Sequence, residues 1–103
     1  MRAKHRITID RAMEVIAIDE YGHMTYRCDN GRHKAGDAPR YTVKLGNPYM
    51  VIDGVKIPAA KVAWMIQTQE YPSSMPMTRN HSRENYRIDN LTMSLDGLIW
   101  GDV

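Results

Sequence analysis

The chain has no phenylalanine and one cysteine in 103 residues. A lone Cys28 closes no internal disulfide and cannot furnish a cysteine-rich zinc site, which excludes disulfide scaffolds and the common structural zinc modules. Without Phe, the core must draw on eight Met, six Tyr, two Trp and the aliphatic residues. Methionine fills irregular gaps but fixes one packing poorly. This composition therefore predicts modest stability, supplemented by a partner or by self-association into a homo-oligomer. No apolar run approaches the roughly 20 residues needed to span a bilayer, and the basic start MRAKHRITID leads into no apolar signal segment. The expectation is a single domain over residues 1–103 that has no membrane partner and works in the cytosol.

Charge of one sign is also scarce overall, at a formal +2 from 14 Lys and Arg against 12 Asp and Glu. Its distribution is uneven. Residues 1–26 hold four basic and four acidic side chains, residues 27–87 hold ten and five, and residues 88–103 hold none and three. The middle is thus +5 and the tail −3. A local basic excess of this size suits phosphate contacts, because each Lys or Arg on a phosphate releases a counterion. It suits a solvated surface equally well.

Along the chain nothing repeats and no segment is of low complexity. Residues 7–18, ITIDRAMEVIAI, fit either period: Ile7 and Ile9 alternate as in a strand, whereas Met13, Ile16 and Ala17 share a helical face. Gly22 reads as a turn and Met24 to Tyr26 as the strand after it. Residues 29–40, DNGRHKAGDAPR, lack an apolar period and read as an exposed loop. Strands are expected over 41–45, 49–52 and 55–57, with Asp53-Gly54 as a type I′ hairpin turn. A helix is expected over 59–69, behind Pro58, and Tyr71-Pro72 ends it. Residues 75–86 read as polar and irregular, and 87–95 as a short second helix or a turn of helix packing Ile88, Leu91 and Leu95 inward. The fold class implied is α+β, a small antiparallel sheet followed by a helix.

The order of these elements and several short motifs resemble the small bacteriophage HNH endonucleases of the homing type over residues 18–94. IDEYGHMTYR resembles that family's acidic or aromatic pair, Gly turn and Leu-Thr-Trp strand, with Tyr26 in the Trp place. KAGD at 34–37 matches its Ala-Gly pair. YMVIDGVKIPAAKVAW resembles its strand, turn, strand and helix start around His-Arg-Leu-Ala-Trp, with Ala60 where the family has His. TQEYP resembles Thr-Gly-Glu-Trp-Pro, and NYRIDNL at 85–91 resembles Asp-Asn-Arg-x-x-Asn-Leu. The resemblance implies a ββα-metal motif at the C-terminal end and a bacterial host cytosol as the setting.

The same resemblance implies that the catalytic groups are gone. The family's Asp-His pair falls on Met77 and Thr78, counted twelve positions back from Asn90, and Asn85 replaces a further Asp. A one-metal site needs hard ligands and a titratable base. A thioether is a poor ligand for Mg²⁺, and a threonine hydroxyl does not titrate near neutral pH. The motif is therefore degenerate, and no metal or other cofactor is expected. The fallback base is His81, displaced within the segment. It would return a divalent metal and a DNA-nicking activity.

Two readings of the function follow. In the first, the chain binds DNA without cleaving it, through Arg79, Arg83 and Arg87 beside the former metal segment, with Lys61, Arg32 and Lys34 as further phosphate contacts. In the second, it is a phage module that binds and inhibits a host enzyme or defence complex, using Leu98, Ile99 and Trp100 in its acidic apolar tail, residues 96–103. Asn90 is expected to cap a short helix and Trp64 to serve the core.

Overall fold

The computed structural model describes residues 7–44, 47–79 and 85–93. The first segment holds both a helix and a strand, but not where its two patterns lie: Ile9 of the alternating pair is helical, and Ile16 and Ala17 of the expected helical face are in the strand. Helix α1 spans Ile9–Val15, and strand β1, Ile16–Ile18, follows it without a connecting residue. Thr8 supplies the reason the helix starts, its Oγ1 accepting the Arg11 N–H at 3.1 Å, and Asp10 in the first turn favours the positive end of the helix dipole. The strand begins where Ile16 turns to φ −120°, ψ 134°, while its N–H still donates to Ala12 O.

Strand β2, Met24–Tyr26, pairs antiparallel with β1, Ile16 opposite Tyr26 and Ile18 opposite Met24. The next three strands form an antiparallel sheet in the order β3 (Thr42–Lys44), β4 (Asn47–Ile52), β5 (Val55–Pro58). Between β4 and β5, Asp53 at φ 53° and Gly54 at φ 78° make a two-residue turn with both central residues left-handed, the conformation expected from the Asp-Gly pair. Helix α2, Ala59–Thr68, starts directly after Pro58 and ends at Gln69, whose positive φ of 59° lets its N–H donate back to Met65 O at 2.8 Å.

Two expectations for the last third are corrected. Residues 75–86 are not wholly irregular: Pro76–Thr78 form strand β6. Of the two forms expected from residue 87 onward, a helix or a single turn, the turn is found, as 3₁₀ over Ile88–Asn90, but it gives way at once to strand β7, Leu91–Met93. Strands β6 and β7 pair antiparallel, with Pro76 opposite Met93 and Thr78 opposite Leu91. Cross-strand partners more than a dozen residues apart decide this conformation, and no local period reports them. Consequently Leu91 is buried as expected, whereas Ile88 is 40% exposed; Leu95 lies outside the described residues.

One core joins these parts. Ala12 and Val15 of α1, Ile16, Met24 and Tyr26 of the first hairpin, and Met50 and Ile52 of β4 are all buried against Val62, Ala63 and Met65 of α2, with Tyr86 and Leu91 closing the far side. Among the described residues, Met24, Met50 and Met65 occupy this core, in keeping with the absence of Phe. Trp64 is half-buried and packs against it, as does Cys28. Alanines at 59, 60 and 63 are fully or nearly buried, so the side of α2 that meets the sheet is built from small groups. Among the described residues no helix is long and apolar enough to cross a membrane.

Candidate nucleic-acid interface

Of the residues singled out in this part of the sequence, Thr78, Arg79, Arg87 and Asn90 meet at the β6–β7 hairpin. Thr78 faces Leu91 across the ladder, and the next pair closes through Arg79 N–H donating to Asn90 O at 2.8 Å. Asn90 N–H in turn donates to Arg87 O at 2.8 Å. Main-chain bonds thus run from Arg79 through Asn90 to Arg87, which brings these two arginines to either side of one 3₁₀ turn. Both are exposed.

Asn90 does not cap a helix from its first position. It ends the 3₁₀ turn, and its Nδ2 donates to Asn85 O at 3.0 Å, so its amide fixes the segment before the turn. That segment is held from two further sides. From α2, Gln67 Nε2 donates to Tyr86 O at 2.7 Å while Gln67 Oε1 accepts the Ile88 N–H at 2.9 Å. From the β1–β2 turn, Gly22 O accepts the Tyr86 N–H at 2.9 Å. Gly22 has φ 86°, and a Cβ there would stand 2.5 Å from Tyr86 N and 2.7 Å from Arg87 N. Only glycine allows this approach. Gln67 and the contact of Gly22 were not foreseen; Gly22 was legible as a turn, but nothing local reveals what packs on it.

Electrostatics at the turn are those of exposed groups. Arg87 Nη2 donates to Asp89 Oδ2 at 2.8 Å, with the two side chains 50% and 64% exposed. Such pairs contribute little and are exchanged readily for other partners in water. Asp19 in the neighbouring turn has its carboxyl held below the usual range, chiefly by the N–H of His23 and also by that of Tyr21, both donating to Oδ1.

The remaining basic candidates are not gathered here. Lys61 lies on α2 six residues before Gln67, which at about 100° per residue places it roughly 120° around the helix from the Gln67 clamp. Arg32 and Lys34 sit at the other end of the β1–β2 ribbon, where Tyr26 N–H donates to Asp37 O and Gly36 N–H to Tyr26 O. Their loop is ordered by Asp29 Oδ1 accepting the Ala35 N–H, by Asp37 Oδ2 accepting the Lys34 N–H, and by reciprocal main-chain bonds between Asn30 and His33. His33 stacks on Tyr26 with ring centroids 4.3 Å apart. Arg83, His81, Leu98, Ile99 and Trp100 lie outside the described residues.

The described residues of the hairpin do not offer a donor set suited to a hard divalent cation. Met77 offers a thioether, Thr78 a buried neutral hydroxyl, and the adjacent Asp89 carboxylate engages Arg87. Among the described residues no group of three or more His, Cys, Asp or Glu is placed to hold a metal. Comparison with family models, with curated proteins and with solved structures finds no match for the chain.

Proposed function

We propose that the protein binds DNA through Arg79 and Arg87 on a degenerate HNH-like hairpin and does not cleave it by a metal-dependent route. The observation that carries the reading is the β6–β7 register. Thr78 faces Leu91 and Arg79 bonds to Asn90, so the two positions that the resemblance aligns with a catalytic His and a downstream Asn, Thr78 and Asn90, are diagonal neighbours across one hairpin, with Asn90 restraining the connecting segment. On this reading, Met77 and Thr78, which can serve neither as hard metal ligands nor as a base near neutral pH, stand where the family has its catalytic pair. What remains exposed on the rim of the hairpin is arginine, whose planar fork suits phosphate oxygens. The weak pairing of Arg87 with Asp89 leaves the guanidinium available to a competing anion.

Binding of a labelled duplex, followed by fluorescence anisotropy over a salt series, tests this. Affinity should fall steeply with salt, Arg79→Ala and Arg87→Ala should each weaken it several-fold, and Asp89→Asn should strengthen it. Binding that ignores salt, or none at low salt, overturns the proposal.

A further inference from the structure

Tyr21 is the most exposed large apolar side chain among the described residues, at 63%. It is not on a loose loop. Asp19 Oδ1 accepts the N–H groups of Tyr21 at 2.9 Å and His23 at 2.8 Å, Asp19 O accepts the Gly22 N–H at 3.0 Å, and Asp19 N–H donates to His23 O at 3.0 Å. Five consecutive residues are thereby locked into one turn around a single carboxylate. The turn is then pinned to the arginine-bearing segment by Gly22, through its bond to Tyr86 N and its close approach to Arg87 N. A second ring, that of His23, lies 6.3 Å from Tyr21 and is more than half exposed.

We infer that Tyr21 is a stacking platform for an unpaired base of a DNA strand whose phosphate Arg87 contacts. This role rests on the DNA-binding reading above and adds to it the part of the nucleic acid that is recognised. A rigid, exposed aromatic ring loses little conformational freedom when a base stacks on it, and every base presents a π-face. Duplex DNA offers no free face along its length, so the surface selects strand ends, overhangs or single strands. Glu20 and Asp89, exposed and next or near in sequence to Tyr21 and Arg87, discourage a long run of phosphates, which leaves stacking, rather than charge, as the source of selectivity. Because Asp19 holds the turn through main-chain N–H groups, substitution of the Tyr21 side chain leaves the scaffold in place.

The experiment compares a blunt duplex with the same duplex carrying a short single-stranded overhang, each titrated with the full chain. The overhang should tighten binding by about tenfold, the effect of one stacked base, and this ratio should persist as salt is raised. Tyr21→Ala should bring the ratio to about one, and Tyr21→Phe should retain it. A ratio near one in the unmodified protein, a ratio unchanged by Tyr21→Ala, or one lost in Tyr21→Phe overturns the stacking role. Salt-sensitive binding of the blunt duplex alongside such a result leaves the DNA-binding reading standing, whereas absence of binding to either duplex removes both.

Discussion

Two irregular segments carry basic side chains, and they are fastened by different chemistry. The 29–37 loop, with Arg32 and Lys34, is tied by carboxylates: Asp29 and Asp37 accept N–H groups within it, and Asp53 reaches in from the β4–β5 turn. Asp53 Oδ1 accepts from Asn30 Nδ2 at 2.9 Å and its N–H donates to Asn30 Oδ1 at 2.8 Å, while Arg11 of α1 grips the same carboxylate with Nε and Nη2, both at 2.8 Å. The 85–90 segment is tied by neutral groups: the Gly22 carbonyl, the Gln67 amide and the Asn90 amide. One anchorage answers to protons. The other depends on shape.

The contrast is broken most forcefully on the neutral side. Gly22→Ala forces a Cβ to within 2.5 Å of a main-chain nitrogen at a positive φ. It should cost about 3 kcal/mol, read as the midpoint shift in urea unfolding, with the loss unchanged between pH 4 and 8. Next comes Gln67→Leu, which keeps most of the side-chain volume but deprives Tyr86 O and Ile88 N–H of their partner. About 2 kcal/mol is expected, again without pH dependence, together with faster hydrogen exchange at Ile88.

The charged side gives the smaller and pH-dependent effect. The Arg11 guanidinium, bonded to both oxygens, draws the Asp53 carboxyl from 3.8 to about 2, with Asn30 adding to the shift and partial burial opposing it. A carboxyl depressed in the folded state stabilises above its unfolded pKa, and that contribution is lost as pH falls through the folded value. Asp53→Asn should therefore cost about 1 kcal/mol at neutral pH, the figure being reduced because both partners are more than a third exposed. The difference from the unmodified chain should shrink between pH 4 and 2. A difference that stayed constant through that range would show that the turn conformation, rather than the ion pair, sets the cost.

The same contrast explains what was legible in the sequence. The β3–β4–β5–α2 unit was readable because its signals are local: Asp53-Gly54 dictates the turn and Pro58 the start of α2. Segment 7–18 was ambiguous because a short helix runs into a short strand with no turn residue between Val15 and Ile16 to separate them, so each period was read on residues that belong to the other element. Strand β6 is three residues long and begins with a proline, so only its pairing with β7 declares it. At the candidate site, the order of Thr78, Asn85, Arg87 and Asn90 was visible through the resemblance. The grip of Gln67 and Gly22 on that segment was not, because each contact joins residues 19 or more apart through groups that carry no sequence signature. The Arg11–Asp53 pair, 42 residues apart, was hidden for the same reason.

The direct passage from α1 into β1 has a bearing on where this chain can change its length. Ile16 serves as the last rung of the helix through its N–H and as the first residue of the strand through its extended backbone. A single residue inserted beside it must displace either a 100° or a 180° periodicity, turning Ala12 and Val15 or Ile16 and Ile18 away from the interior. The 29–37 loop, though tied by hydrogen bonds, has open space around Gly31 and Gly36 into which an added residue can bulge. Length variation should therefore collect at that loop and be barred at the helix–strand junction, which makes the junction a fixed reference for aligning this chain with any relative.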